Sequence, residues 1–166
     1  MTAMQTKALA WLSLLAVVSL ASGCGFHLQG SGSLPEGMRK FYVITADQVT
    51  PFAVELRRAI ERSGGQLTNT SAEADTVVRI QRDRSGRRVL SVSARNTPQE
   101  YEIFYLVEYS VDRGGKEVLE LQPLEMVRNL SFDETQLLAK DREEAIIHEA
   151  MARDLAVLVT RRLESL

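Results

Sequence analysis

From residue 101 to residue 111 every second position is large and apolar: Tyr101, Ile103, Tyr105, Val107, Tyr109 and Val111. A period of two marks a β-strand, and the pattern predicts one over 99–112. Its second face, with Glu102, Phe104, Leu106, Glu108 and Ser110, mixes charged and apolar side chains and so predicts partial cover. Arg113-Gly114-Gly115-Lys116 turns the chain into a further strand over 117–132, whose apolar phase slips at Pro123. Proline lacks the donor a sheet ladder needs, so an edge position or a bulge is expected there.

Upstream, Arg39–Ala46 is a short β-branched and aromatic run that predicts the first strand. The period then changes to that of a helix. Thr50 supplies a hydroxyl cap and Pro51 the first helical position; Phe52, Leu56 and Ile60 form one stripe, with Ala53 and Ala59 beside them. Gly64-Gly65 ends the helix in a left-handed turn. Thr76–Gln81 predicts the second strand. The polar run Arg82–Arg88 that follows fits either a hairpin tip or an exposed bend within one strand resuming at Val89–Ala94. Arg95–Pro98 is a turn.

Asp133–Lys140 is expected as a loop, and Asp141 with Glu144 as a capping box that opens a terminal helix. Ile147, Met151, Leu155, Leu158 and Leu163 are its expected inner face, with Phe104 and Phe132 in the core. The order β-α-β-β-β-α predicts an α/β (α+β) two-layer sandwich, a four-stranded sheet with two helices on one face.

Ahead of this domain the pattern is different. Ala8–Ala21 is an uncharged apolar run of 14 residues, too short to span about 30 Å of hydrocarbon but suited to a secretory signal. Ala21, Ser22 and Gly23 are small, and Cys24, the single cysteine, follows them. Leu20–Cys24 resembles a bacterial lipobox. The resemblance implies removal of residues 1–23 and acylation of the Cys24 thiol, with several acyl chains holding the protein stably to a membrane. Gly25 rather than Asp after the cysteine implies the outer membrane, periplasmic side. Residues 24–37, rich in Gly, Ser and Pro, then read as a tether, and 38–166 as the domain.

The 166 residues carry 45% hydrophobic and 25% charged side chains, which suits one domain with a real core. A formal net charge of -2 argues against a nucleic-acid binder, so any anionic ligand must be held by local Arg and Lys. Catalytic chemistry is thin. The two histidines, His27 in the tether and His148 on the terminal helix, make a poor metal pair, and no nucleophile elbow or phosphate loop is present. His148, Glu143, Glu144 and Glu149 read as a solvated helix face. No catalysis, metal or cofactor is expected.

Cys24-Gly25-Phe26-His27-Leu28-Gln29-Gly30 resembles the CGFHLRG opening of the LptE (RlpB) family of lipopolysaccharide-assembly lipoproteins, with Gln29 where Arg is usual. Arg95-Asn96 leading to Gln99-Glu100-Tyr101, Ala139-Lys140-Asp141 after Phe132-Asp133, and Ile146–Met151 match in order. The resemblance implies a non-enzymatic subunit of the outer-membrane lipopolysaccharide translocon. Such a subunit plugs the LptD β-barrel, assists its assembly and binds lipopolysaccharide.

It also implies that Arg95 and Lys140 hold lipopolysaccharide phosphate, for which Arg offers a bidentate fork and Lys a mobile charge. Read without the family, these are two ordinary loop cations. Arg84, Arg87 and Arg88, with Arg82, form a denser cluster that is either a solvated bend or a secondary basic contact. The alternative function is a freestanding periplasmic lipoprotein that binds cell-wall or small anionic ligands without a barrel partner.

Overall fold

A computed structural model describes residues 34–131 and 137–166, with the backbone alone at residue 131 and at 137–140. The elements run β1 (Lys40–Ile44), α1 (Pro51–Arg62), β2 (Gln66–Leu67), a 3-10 turn (Ser71–Glu73), β3 (Thr76–Val92), β4 (Pro98–Arg113), β5 (Lys116–Ser131) and α2 (Leu137–Glu164). They form an α+β sandwich whose sheet has five strands in the order β2-β1-β3-β4-β5. The expected count was four. The extra strand, β2, is two residues long and parallel to β1, too short to leave a periodic signature.

α1 forms where the caps demand it. The Thr50 hydroxyl accepts from the Ala53 N–H at 3.2 Å, and Pro51 occupies the first turn. At the other end Gly64 is left-handed (φ +86°); its N–H donates to the Glu61 carbonyl and that of Gly65 to Ile60. These two bonds satisfy carbonyls the helix leaves open. Phe52, Ala53, Leu56, Ala59 and Ile60 are buried, as their spacing requires.

Residues 82–88 are neither a tip nor a break, because β3 is one 17-residue strand. It pairs with β4 from Thr76↔Arg113 to Val92↔Pro98, with a register shift between Ile80 and Arg82. Gly114 and Gly115, both at positive φ, join β4 to β5 in a tight turn. β5 is the sheet edge. Its register on β4 jumps from Tyr109↔Gln122 to Val111↔Leu119, so the phase slip is a bulge at Glu120–Leu121, just before Pro123. The slip lets Leu119 on one side and Leu124 and Met126 on the other all serve the core.

α2 begins four residues earlier than expected. Asp141 is therefore inside the helix and does not cap it, and Lys140 lies in the first helical turn, not in a loop. Phe132 and Asp133 fall outside the described residues. The buried stripe of α2 is Met151, Ala152, Leu155, Ala156, Val159 and Leu163, while Leu158 is 44% exposed. The expected face was rotated at that one position: Leu158 lies about 100° around the helix from the centre of a stripe that the small Ala152 and Ala156 help to define. Phe104 is half-buried on the sheet face away from the helices.

Candidate functional site

The register of β3 decides where its charges go. Helix-side residues of β4, including Val111 and Tyr109, face Val78 and Ile80; beyond the shift Val107, Tyr105 and Ile103 face Asp83, Ser85 and Arg87. Arg82, Arg84 and Arg88 therefore lie on the open face, opposite Glu108, Leu106 and Glu102, and only Arg87 lies on the helix side. The basic cluster seen in the sequence is thus divided by the sheet.

Most of it is also neutralised. Arg82 meets Glu108 at 2.7 Å, and Arg79 meets Asp112 at 2.8 Å. Arg88 pairs with Glu102, reaches Glu125 at 3.6 Å and lies over the Phe104 ring. Arg87 covers the Tyr101 ring and binds Glu144 of α2 at 2.9 Å, with Asp141 at 4.0 Å. Glu144 is thus a strut between helix and sheet, not a solvated side chain. Arg84, opposite the apolar Leu106, is exposed and has no partner among the described residues.

On the helix side a buried polar joint replaces apolar packing. The Thr50 hydroxyl donates to the Asp83 carboxylate at 2.5 Å, and the Phe52 N–H donates to the Tyr105 hydroxyl at 3.2 Å. Tyr105 also lies within the influence of Asp83: burial, followed by that negative charge, holds its phenol well above its ordinary range. His148 is half-buried edge-on to the Tyr105 ring, and its Nε2 has no partner among the described residues. It is not the free helix-surface side chain its sequence position suggested.

Arg95 is exposed in the turn between β3 and β4. Ser93 organises that turn: its hydroxyl accepts from the N–H groups of Arg95 and Thr97 and shares a 2.6 Å bond with the Thr97 hydroxyl. Asn96 takes the left-handed conformation (φ 61°), which Asn tolerates better than most residues. The Arg95 side chain has no partner among the described residues. The turn lies at the sheet end where β5 finishes, since Glu100 pairs with Ser131. α2 starts at the same end: from Glu144, docked on Arg87, one turn back along the helix axis (about 5.4 Å) reaches Lys140. The topology thus brings the Arg95 turn and the Lys140 backbone to one end of the fold. Cys24 lies outside the described residues.

Among the described residues no group of three or more His, Cys, Asp and Glu could hold a metal ion. No helix there is long and apolar enough to cross a membrane. The apolar side chains beside the Arg95 turn, Val89, Leu90 and Val92, are about half exposed. Sequence reasoning placed them simply in a resumed strand, and their run of β-branched and aliphatic types gave no sign of exposure.

A family model described as LptE, lipopolysaccharide-assembly, matches residues 38–163. The chain belongs to the LptE family. LPS-assembly lipoprotein LptE of Pectobacterium atrosepticum is 23% identical over 147 residues, covering 88% of this chain and 79% of the relative. The LptE of Photorhabdus laumondii is 24% identical over 146 residues, covering 88% and 80%. Among solved structures, an uncharacterized lipoprotein B from Nitrosomonas europaea superposes with a TM-score of 0.71 at 26% identity, covering 85% of this chain and 91% of that one. The rare lipoprotein B of Shewanella oneidensis gives 0.67 at 23% identity, covering 76% and 95%. The matched region coincides with the sandwich, so the LptE assignment rests on the domain itself and is independent of the Cys24 opening.

Proposed function

We propose that this LptE-family protein is a non-catalytic, lipid-anchored subunit of the outer-membrane lipopolysaccharide translocon. Acyl chains on Cys24 hold it at the periplasmic side of the outer membrane. The sandwich sits in the lumen of an LptD-type β-barrel and assists its assembly. Arg95 and Lys140 hold lipopolysaccharide phosphate during delivery. The reading requires no cofactor and no metal.

One observation carries the ligand assignment. Arg95 is exposed and unpartnered among the described residues, on a turn at the same sheet end as the first turn of α2. An ion-paired arginine would have to give up its carboxylate to take a phosphate, whereas Arg95 has none to lose. The open face is supported as a surface for a polar barrel lumen by its ladder of Arg–Glu and Arg–Asp pairs, which satisfies charge without making the face apolar.

The test is site-specific photocrosslinking from positions 95 and 140 in intact envelopes, joined to purification in mild detergent. Adducts with lipopolysaccharide and co-elution with a large heat-modifiable β-barrel are expected. A lone monomer would instead favour a freestanding lipoprotein for small anionic ligands. Mass spectrometry of the mature terminus checks the anchor: an unacylated Cys24 removes it.

A further inference from the structure

Exposed aliphatic side chains are common singly, and Val49, Val118, Leu121, Val127, Ile146 and Leu158 never fall at neighbouring positions of the chain. The tip of the β3–β4 hairpin differs. Val89, Leu90 and Val92 are 51%, 48% and 51% exposed within four consecutive positions. They lie where the cover of the sheet thins: Tyr101, opposite Val89, is only partly buried, and β4 becomes fully buried from Ile103, opposite Arg87, although Leu130 beside Tyr101 still belongs to the core. A hairpin tip free in water would gain solubility from polar residues here; three exposed apolar side chains within four positions mark a contact.

The backbone is shaped around it. The register runs Val89↔Tyr101, then Ser91↔Glu100, then Val92↔Pro98, so Leu90 on β3 and Gln99 on β4 are each an extra residue. Consecutive bulges re-aim side chains that a regular ladder would lay flat on the two faces. The two nearby carboxylates are each engaged. Glu100 accepts from the Ser91 hydroxyl and Glu102 pairs with Arg88, while Arg95, three residues past Val92, is left without a partner among the described residues. A free guanidinium therefore adjoins an exposed aliphatic group.

We infer that the β3–β4 hairpin tip reads the boundary between phosphate and hydrocarbon in a phosphorylated, multiply acylated glycolipid. Val89, Leu90 and Val92 meet the proximal acyl carbons, and Arg95 meets the phosphate. This rests on the ligand reading proposed above and adds to it the part of the ligand that is not charged. A soluble phosphate would leave the three aliphatics in water, and a neutral lipid would leave the guanidinium unused. An amphiphile with both features satisfies the pair.

The experiment uses the full chain in intact envelopes, with a photoreactive residue placed in turn at 89, 90, 92 and 95, and at 118 as an exposed apolar control. Adducts bearing the mass of lipopolysaccharide are expected from 89, 90, 92 and 95 and not from 118. In a second arm, Val89→Asn, Leu90→Asn and Val92→Asn are each combined with the probe at 95. Each is expected to reduce lipopolysaccharide capture about fivefold or more, from the lost burial of one to two methylene equivalents, at an unchanged melting temperature. Capture at 95 alone would overturn the acyl contact and leave the phosphate reading standing. No lipopolysaccharide at any of the four positions would end both. Adducts at 89–92 with a barrel protein or with phospholipid only would also overturn the inference, making the tip a protein-docking or general membrane contact.

Discussion

Asp83 and Thr50 are 33 residues apart in sequence, yet the Thr50 hydroxyl donates a 2.5 Å hydrogen bond to the Asp83 carboxylate. The register shift between Ile80 and Arg82 creates this contact. Without it, strand alternation from Val78 and Ile80 would turn Arg82 and Arg84 towards the helices. With it, the inward residue is an acid, and it meets the N-terminus of α1, where the exposed N–H dipoles favour negative charge. A single extra residue thus exchanges a repelled cation for an attracted anion.

Loss of either partner should weaken the docking of α1 on the sheet. Thr50→Ala removes a cap and should cost about 1 kcal/mol. Asp83→Ala strips the charged acceptor from the Thr50 hydroxyl and should cost about 2 kcal/mol. Chemical denaturation measures both, and a double variant that costs the full sum would show that the two residues act independently.

Alkaline pH should destabilise the domain. Burial, and secondly Asp83, raise the Tyr105 phenol, and burial raises that of Tyr109 against the opposing Arg162 charge. In the unfolded chain both ionise near pH 10, so the native state retains more protons above that point. Stability is then full below about pH 10 and falls as pH rises further. Ultraviolet titration should show these two tyrosines ionising only with unfolding, and Tyr105→Phe should flatten the alkaline slope.

Gly65 and Gly64 are neighbours with different demands. A Cβ at Gly65 would come within 2.6 Å of Ile60 Cγ2 and 3.0 Å of the Phe41 ring. At Gly64 nothing lies within 4 Å, but φ is +86°. Gly65→Ala should cost about 1–3 kcal/mol by overpacking and Gly64→Ala about 1 kcal/mol by backbone strain. Gly64→Asn, tolerated in the left-handed region, should recover part of the second loss and distinguish the two causes in thermal melts.

On α2, Leu155 is 1% exposed and Leu158 44%. Leu155→Ala should cost about 2–5 kcal/mol and Leu158→Ser about 0.5 kcal/mol or less in stability. Equal losses would mean the helix is rotated about its axis.

Much of the fold was legible because short-range chemistry determined it. Thr50, Pro51 and Gly64 delimit α1 through bonds made within a few residues, and the alternation over 101–111 fixed the inner face of β4. What stayed hidden depends on partners distant in sequence. β2 is a strand only because β1 lies beside it, and the inward turn of Asp83 needs the β4 ladder. The start of α2 was misread because Asp141 and Glu144 look like a cap; Glu144 instead answers Arg87, 57 residues away. At the candidate site the sequence supplied Arg95 and the basic run, but only the pairing separated the engaged Arg82, Arg87 and Arg88 from the open Arg84. The exposure of Val89, Leu90 and Val92 could not be inferred, since buried and uncovered strands share the same residue types.

The Ser63 hydroxyl, just past α1, bonds Glu164 at the end of α2, across 101 positions of chain. The first helix is therefore sealed by the second, and β1 pairs in parallel with β3 beneath them. A polypeptide lacking the 28 residues of α2 would hold Phe52, Leu56 and Ile60 over a half-built interior. Contacts of such sequence separation slow folding, because the entropy of closing the intervening chain is lost before packing compensates it.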